Sequence, residues 1–229
     1  TFRSKIYVDY KANRPPPPDE LIPQFQLVRN ATEAMNVPAI DMDGFEADDL
    51  IATYARQAAE AGAEVTIVSS DKDLMQLVTD KVTMLDAMKN RVIGHEQVVE
   101  KFGVGPDRVV DVQSLAGDST DNVPGVQGIG VKTAAQLINE YGDLDSLLAN
   151  AEEIKQPKRR ERLIEQADMA RISRELVRLD QNVPVTEAWE SFAVKSPDPN
   201  VLLPFLREQK FRSLVSTMEA RLGVEPGDR

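Results

Sequence analysis

Residues 44–86 read GFEADDLIATYARQAAEAGAEVTIVSSDKDLMQLVTDKVTMLD, and this stretch decides the fold class. Apolar residues recur at helical spacing over 47–61, which predicts a helix that Gly62 ends. The β-branched run over 64–69 predicts a buried strand, and 82–85 predicts another strand after a short helix over 71–78. A further strand is expected over 37–42. Alternating strands and helices favour an α/β fold with a mostly parallel central sheet flanked by helices.

Outside this stretch the sequence pattern is mainly helical. One helix is predicted over 19–35, after the four prolines of 15–18, and others over 96–102, 106–116, 132–141, 159–179, 199–208 and 211–221. A strand is expected at 191–194, and Trp189 and Phe192 are interpreted as core residues. We expect an α/β core over 1–94, a helical region over 95–180, and a C-terminal segment over 181–229 that packs back on the core.

The composition restricts the chemistry that the chain can perform. Its 229 residues include no cysteine and one histidine, His95, which excludes thiolate sites and multi-histidine metal centres. A metal ion would need oxygen ligands, which Mg²⁺ and Mn²⁺ accept. No apolar run reaches the ~18–20 residues of a membrane span. The net charge is −11, but acids cluster over 41–49 and bases over 155–162. Such local groups leave nucleic-acid binding open.

Three acidic groups lie next to the ends of predicted elements. They comprise Glu46, Asp48 and Asp49, then Asp71 and Asp73, then Asp118 and Asp121. Each group alone could cap a helix. Because sites in open α/β sheets form beyond the carboxyl ends of the strands, the first two groups should meet there, with the third folding over them. Like charges ~4 Å apart repel by ~4 kcal/mol, so we expect two Mg²⁺ or Mn²⁺ ions between them, an arrangement suited to phosphodiester hydrolysis.

Residues 124–134 read PGVQGIGVKTA, and three interpretations of this glycine-rich loop compete. A Walker A loop is disfavoured because it needs Lys where Val131 stands and a preceding strand rather than a helix. An ordinary interhelical turn remains open. In the third interpretation a helix–hairpin–helix turn presents backbone N–H groups to a DNA phosphate. The contacts would then come from Gly125, Gly128, Gly130, Lys132 and Thr133.

Basic and aromatic residues are interleaved near the start of the chain, at Phe2, Arg3, Lys5, Tyr7, Tyr10, Lys11 and Arg14. This mixture fits single-stranded nucleic acid, because bases stack on rings while phosphates pair with cations. A solvated helix end explains the same residues when they are considered alone. The bases of 155–162 likewise fit either a phosphate-facing surface or a solvated helix face.

Five segments carry a resemblance that covers essentially the whole chain. They are FRSKIYVDYKANRPPPP (2–18), GFEADDLIATYA (44–55), VSSDKDLMQLV (68–78), LAGDSTDNVPGVQGIGVKTAAQLI (115–138) and FLREQKFRSL (205–214). Together they resemble the 5′-nuclease domain at the N-terminus of bacterial DNA polymerase I, within the flap-endonuclease superfamily. The resemblance implies a PIN-like fold and a structure-specific, divalent-metal-dependent 5′ nuclease, which cuts at 5′ flaps and 5′ ends during primer removal and repair.

The resemblance also implies roles for particular residues. The seven acids named above would form the two-metal site, and Lys11 and Arg14 would position the scissile phosphate. Arg3 and Tyr10 would lie in the gateway for the 5′ strand, and the loop over 125–133 would bind downstream duplex and hold a K⁺ ion. The implied partners are flapped or nicked DNA and RNA–DNA primer junctions. A cytoplasmic monomer at the bacterial nucleoid is expected, with a polymerase domain as a possible continuation after residue 229.

One departure from the resembled family concerns the start of the chain. In that family a central strand with an Asp, and a second Asp, come before the part that matches Thr1. We therefore expect the chain 1–229 by itself to be weakly active or inactive. The competing hypothesis is a non-catalytic DNA-structure-binding module that uses the hairpin loop, while its acids serve as helix caps.

Overall fold

The computed structural model describes residues 1–225. It has the predicted α/β class and divides into two compact units. The first combines Thr1–Arg14 with Met42–Val185, and the second combines Pro15–Asp41 with the chain from Thr186 onward. The boundaries expected near residues 94 and 180 remain predictions.

Eleven α-helices and three strands occur within residues 1–225. The helices are α1 (Arg3–Ile6), α2 (Ile22–Ala34), α3 (Ala47–Glu60), α4 (His95–Phe102), α5 (Val109–Ala116), α6 (Val131–Tyr141), α7 (Leu144–Ala149), α8 (Pro157–Glu165), α9 (Ala167–Val177), α10 (Pro199–Glu208) and α11 (Arg212–Leu222). The strands are β1 (Val65–Val68), β2 (Val82–Asp86) and β3 (Arg91–Ile93). Short 3₁₀ helices include Lys72–Leu77 and Pro106–Arg108.

The sheet of the first unit has the order β1-β2-β3. Strands β1 and β2 are parallel, with Val65 opposite Val82, whereas β2 and β3 are antiparallel, with Met84 opposite Ile93. Both strands predicted in 64–85 are therefore confirmed, and β3 is an addition. Because β1 ends at Val68, the chain reaches Asp71 and Asp73 at the carboxyl edge of the sheet.

Helix α5 lies at the centre of the first unit. Its Val112 and Leu115 are completely buried, and it packs between α6 and α9. Gly117 ends the helix with a φ of 68°, a left-handed conformation that a residue with a Cβ adopts at a cost. This turn directs the following loop, with Asp118 and Asp121, back toward the sheet edge.

Several sequence-based element assignments are wrong. Residues 37–42 form no strand, because they have no ladder partner among the described residues. The strand expected at 191–194 is replaced by the 3₁₀ helix Trp189–Phe192, in which Trp189 is half-buried rather than part of the core. The single helix expected over 159–179 is α8 followed by α9, since Gln166 leaves helical dihedral angles between them.

The second unit is small and helical within its described residues. Its apolar centre comes from α2, α10 and α11, and consists of Ala34, Leu202, Leu203, Leu206 and Met218. Helix α2 contributes little else, because Phe25 and Val28 on its surface are largely exposed. Within residues 1–225, no helix combines the length and the apolar character that crossing a membrane requires.

Candidate active site

Lys11 joins two of the predicted acidic groups. Its Nζ lies 2.7 Å from Glu46 Oε2 and 3.5 Å from Asp121 Oδ2. Arg14 forms a second ion pair with Asp121. Glu46 and Asp121, which are far apart in sequence, are thus brought to the same cation, Lys11, and Arg14 adds a second positive charge beside Asp121.

Backbone contacts fix the segment that carries these cations. The N–H of Lys11 donates to the carbonyl of Asp121 at 2.9 Å. Asn13 Nδ2 donates to the carbonyl of Ser119, and Asn122 Nδ2 donates to that of Asp9, each at 2.7 Å. The segment 9–14 and the loop 118–122 therefore form one layer beside the acids.

A second group of contacts involves Asp71, Asp73 and Asp118. Lys72 Nζ lies 2.6 Å from Asp118 Oδ2. Asp71 Oδ1 accepts the N–H of Asp73 at 3.0 Å, and Gln113 Nε2 donates to Asp73 Oδ1 at 2.5 Å. The acids that follow β1 and the acids that follow α5 consequently meet at the same sheet edge.

The pKa values show that these acids act on one another. Burial raises the pKa of Asp48, and the charges of Asp71 and Glu46 raise it further. Burial, the largest cause, raises the pKa of Asp73 to about 6; the Gln113 hydrogen bond opposes this rise, and the charges of Asp71 and Asp118 add to it. Negative charge is therefore in excess at this edge.

The pKa of Asp118 moves in the opposite direction. Burial favours the neutral acid, but the hydrogen bond from Lys72 and the N–H groups of Thr120 and Asp121 outweigh it and lower the pKa. The charge of Asp118 is thus stabilised by protein donors, whereas burial and neighbouring acids outweigh the donors at Asp48 and Asp73.

The donor set fits a hard divalent cation in its chemistry. It consists of carboxylate oxygens, and the excess negative charge at Asp48 and Asp73 is what such a cation would neutralise. Within residues 1–225, however, no three acidic or histidine side chains stand in a ready-made coordinating arrangement. Lys11 and Lys72 provide the nearby positive charge instead.

Asp49 and Arg3 are buried next to Glu46, whose Oε2 lies 3.9 Å from Arg3 Nη1, and they correct two residue predictions. Their side chains form a two-pronged ion pair, with both N···O distances at 2.7 Å, and are 0% and 1% exposed. Asp49 also accepts the N–H groups of Glu46 and Asp180. Asp49 therefore has no oxygen free for a metal ion, and Arg3 is not accessible to DNA.

Tyr10 is also more buried than a base-stacking residue would be. Its hydroxyl donates to Glu46 Oε2 at 3.3 Å, and burial raises its pKa. Lys11 Nζ lies 5.0 Å from the centre of its ring. Tyr10 thus contacts Lys11 through its ring and Glu46 through its hydroxyl, and it does not present a ring face to DNA.

The glycine-rich loop connects α5 to α6, so no strand precedes it. Gly125 is buried, and its N–H donates to Ser173 Oγ at 3.0 Å. A Cβ at Gly125 would lie 2.4 Å from the backbone nitrogen of Gly117. Gly125 is therefore required for packing, which corrects its assignment as a phosphate contact.

The rest of the loop has an open side. Gly128 and Gly130 are exposed, and Gly130 is the N-cap of α6. Lys132 is exposed and Thr133 half-buried in the first turn of that helix. The loop's backbone and the positive end of α6 can therefore face an anion from solvent.

Arg162 and Gln166, to which the sequence assigned no individual role, hold this loop. Arg162 Nη1 donates to the carbonyl of Gln127 at 3.0 Å, and Gln166 Oε1 accepts the N–H of Gln127 at 2.8 Å. Arg162 lies within the basic run 155–162, and this run is the feature of the sequence that points to it. Gln113, Gln166 and Ser173 belong to no motif that would have indicated their contacts.

Comparisons with known proteins find family models and relatives that cover most of this chain. Residues 1–103 match the family model described as the 5′-3′ exonuclease N-terminal resolvase-like domain, and residues 104–200 match the 5′-3′ exonuclease C-terminal SAM fold. A 5′-3′ exonuclease of Aquifex aeolicus is 36% identical over 221 residues, which are 96% of this chain and 74% of that protein. DNA polymerase I of Rhizobium leguminosarum is 56% identical over 93% of this chain, which spans only 21% of the polymerase.

Solved structures share the fold. The T5 D15 protein co-crystallised with metal ions superimposes with a TM-score of 0.70 at 23% identity, covering 90% of this chain and 78% of that one. The catalytic core of Rad2 in complex with a DNA substrate gives a TM-score of 0.55 at 16% identity, covering 91% and 71%.

Proposed function

This chain belongs to the 5′-3′ exonuclease family, and on that premise we propose that it hydrolyses phosphodiesters at 5′ flaps and 5′ ends of DNA in a divalent-metal-dependent reaction. One observation carries the proposal: acids from three distant segments meet at the sheet edge and pair there with Lys11, Arg14 and Lys72. Primer removal and repair are the processes that such an activity would serve, and the product would carry a 5′-phosphate.

The metal site would be formed by the acids at this edge. The proposed ligands are Glu46, Asp48, Asp71, Asp73, Asp118 and Asp121, without Asp49. Two Mg²⁺ or Mn²⁺ ions, when bound, would supply an activated water and neutralise the leaving oxygen. The carboxylates would hold the two cations beside the scissile phosphate. The uncompensated negative charge at Asp48 and Asp73 favours cation binding.

Lys11 and Arg14 would orient the scissile phosphate. Both are cations paired with acids of the proposed site, and the segment that carries them is bonded to loop 118–122 through Asn13 and Asn122. In the absence of substrate their charges pair with Glu46 and Asp121. A phosphate would replace those carboxylates as their partner once cations neutralise the acids.

The hairpin loop would bind the duplex beside the cleavage point. Gly128, Gly130, Lys132 and Thr133 would contact one phosphate group, and a K⁺ ion at the loop is part of the proposal. Such contacts recognise backbone shape and not base sequence. The proposed substrates are flapped or nicked DNA and RNA–DNA primer junctions, bound by a monomer whose polypeptide includes a polymerase domain.

The test is the double substitution Asp71→Asn with Asp73→Asn in the full-length protein. We expect cleavage of a 5′-flap substrate in Mg²⁺ to fall by orders of magnitude, because two ligands lose their charge, while the affinity for the same DNA is kept. The control is Asp80→Asn with Asp107→Asn, which changes the charge equally at two exposed positions and should leave cleavage intact.

The same experiment separates the nuclease from the alternative of a non-catalytic DNA-structure-binding module. The observation that favours the alternative is that no ready-made coordinating group exists within residues 1–225. If the full-length wild-type protein binds flapped DNA but cuts none of it in Mg²⁺ or Mn²⁺, the binding module is the correct assignment.

A further inference from the structure

Gln113 is a buried polar side chain of α5, as is its neighbour Ser114, whose hydroxyl donates to the carbonyl of Val110. Gln113 is 2% exposed, and Val112 and Leu115 beside it are completely buried. Burying an amide without full hydrogen bonding destabilises a fold, and an apolar residue of similar size would fill the same volume. Packing alone therefore gives no reason for glutamine at this position.

The side chain makes a single short hydrogen bond. Its Nε2 donates to Asp73 Oδ1 at 2.5 Å, whereas its Oε1 is buried and has no hydrogen-bond partner among the described residues. A glutamine held for stability would be expected to satisfy both ends, as Gln76 does with the backbone of Val177 and Leu179. The unsatisfied end indicates that the contact with Asp73 is what this residue provides.

The hydrogen bond restricts one of the proposed ligands. Asp73 is attached to Asp71 through its backbone N–H, and its Oδ1 is taken by Gln113. Oδ2 is then the oxygen left for a cation. Outer partners of this kind fix the orientation of metal-binding carboxylates, and their loss commonly weakens metal binding by 10–100-fold, as an order of magnitude.

We propose that Gln113 is a positioning residue of the metal site, which orients the Asp73 carboxylate toward a bound divalent cation. This inference rests on the metal site of the proposed function. Gln113 touches neither the cation nor the DNA and acts only through Asp73. Helix α5 thereby connects the buried centre of the first unit to the acids at the sheet edge.

The experiment is a Mn²⁺ titration of the full-length protein, followed by the electron paramagnetic resonance of free Mn²⁺. Gln113→Leu should weaken Mn²⁺ binding by about tenfold. Its melting temperature in EDTA should stay equal or rise, because the buried unsatisfied oxygen is removed. In an Asp73→Asn background the same change should have no further effect on Mn²⁺ binding.

The matched control is Gln76→Leu, which removes two hydrogen bonds to the backbone of Val177 and Leu179 and none to Asp73. It should lower the melting temperature and leave Mn²⁺ binding unchanged. The proposal is overturned if Gln113→Leu leaves Mn²⁺ binding unchanged, or if its effect persists in full beside Asp73→Asn. If the wild-type protein binds no Mn²⁺, the metal site of the proposed function fails and the role of Gln113 fails with it.

Discussion

Arg3 and Asp49 differ most between their predicted and observed roles. By residue type they suggested a DNA contact and a metal ligand, yet each is the other's partner in the interior. Arg3 also donates to the carbonyls of Leu176 and Arg178, which ties α1 to the end of α9. Residue type and local spacing cannot show that an arginine is buried, because its partners are 46 to 175 positions away in sequence.

Breaking this pair should destabilise the protein. Arg3→Met leaves the Asp49 charge buried without its partner, and we expect a loss of about 3–5 kcal/mol in the free energy of unfolding. Urea unfolding measures it, with Arg91→Met as a control that removes an exposed arginine. Arg3→Met combined with Asp49→Leu should regain much of the loss. A single variant as stable as wild type would contradict the structural role.

Asp73 should make stability depend on pH in the absence of metal. Its folded pKa is about 6, raised by burial above the ordinary value of 3.8. The folded state therefore binds more protons than the unfolded state between these values, so stability should fall as the pH rises from 3.8 to about 6.

Asp73→Asn tests this expectation because it removes the charge and keeps an oxygen that Gln113 can donate to. Urea midpoints in EDTA should show the variant gaining stability over wild type at pH 7.5 and little or none at pH 4.5. Asp80→Asn, at an exposed site, is the control: the difference between its urea midpoints at pH 7.5 and pH 4.5 should equal that of wild type. An equal gain for Asp73→Asn at both pH values would refute the assignment.

At the scale of elements, the loop between α5 and α6 depends on Gly125. Its φ of 61° and the close backbone of Gly117 both exclude a side chain. Gly125→Ala should lower stability by roughly 1–3 kcal/mol through strain and overpacking. Gly142→Ala is the matched control, since its φ is also positive but no atom lies within 4 Å of a Cβ. Thermal unfolding should show the larger loss at Gly125, and equal losses would exclude the packing explanation.

The hydrogen bonds that Arg162 and Gln166 make with the backbone of Gln127 should strengthen duplex binding, because they hold the loop in place. Arg162→Ala frees the Gln127 carbonyl, and we expect duplex affinity to fall roughly fivefold, the equivalent of one hydrogen bond. Arg160→Ala removes the same charge from the same helix, but its hydrogen bond goes to Ile154 and not to the loop. Equal losses in fluorescence anisotropy would mean that charge, and not loop geometry, explains the effect.

At the scale of the whole molecule, the two units should differ in local stability. Helix α5 buries most of its residues, whereas α2 buries only Ala34. Amide hydrogen exchange of the full-length protein should therefore be slowest in α5 and faster by orders of magnitude in α2. Helix α10, which buries three leucines, should be intermediate. Protection of α2 equal to that of α5 would contradict this order.

The types of most elements follow from sequence because they depend on local periodicity. The β-branched run over 64–69 gave β1, and the stripes over 47–61 and 132–141 gave α3 and α6. The strand assignment at 37–42 failed because a strand needs a hydrogen-bonded neighbour, which a local pattern cannot supply. The composition also limited any metal site to oxygen ligands.

Which acids share a site could be decided only by the fold. The contacts of Lys11 with Glu46 and Asp121 and of Lys72 with Asp118 join segments that are distant in the chain. The same folding removes Asp49, Arg3 and Gly125 from the surface and places Gln113 against Asp73. A sequence motif shows which residue types occur and how they are spaced. The partners and the burial of each side chain depend on packing between distant segments, which no single segment encodes.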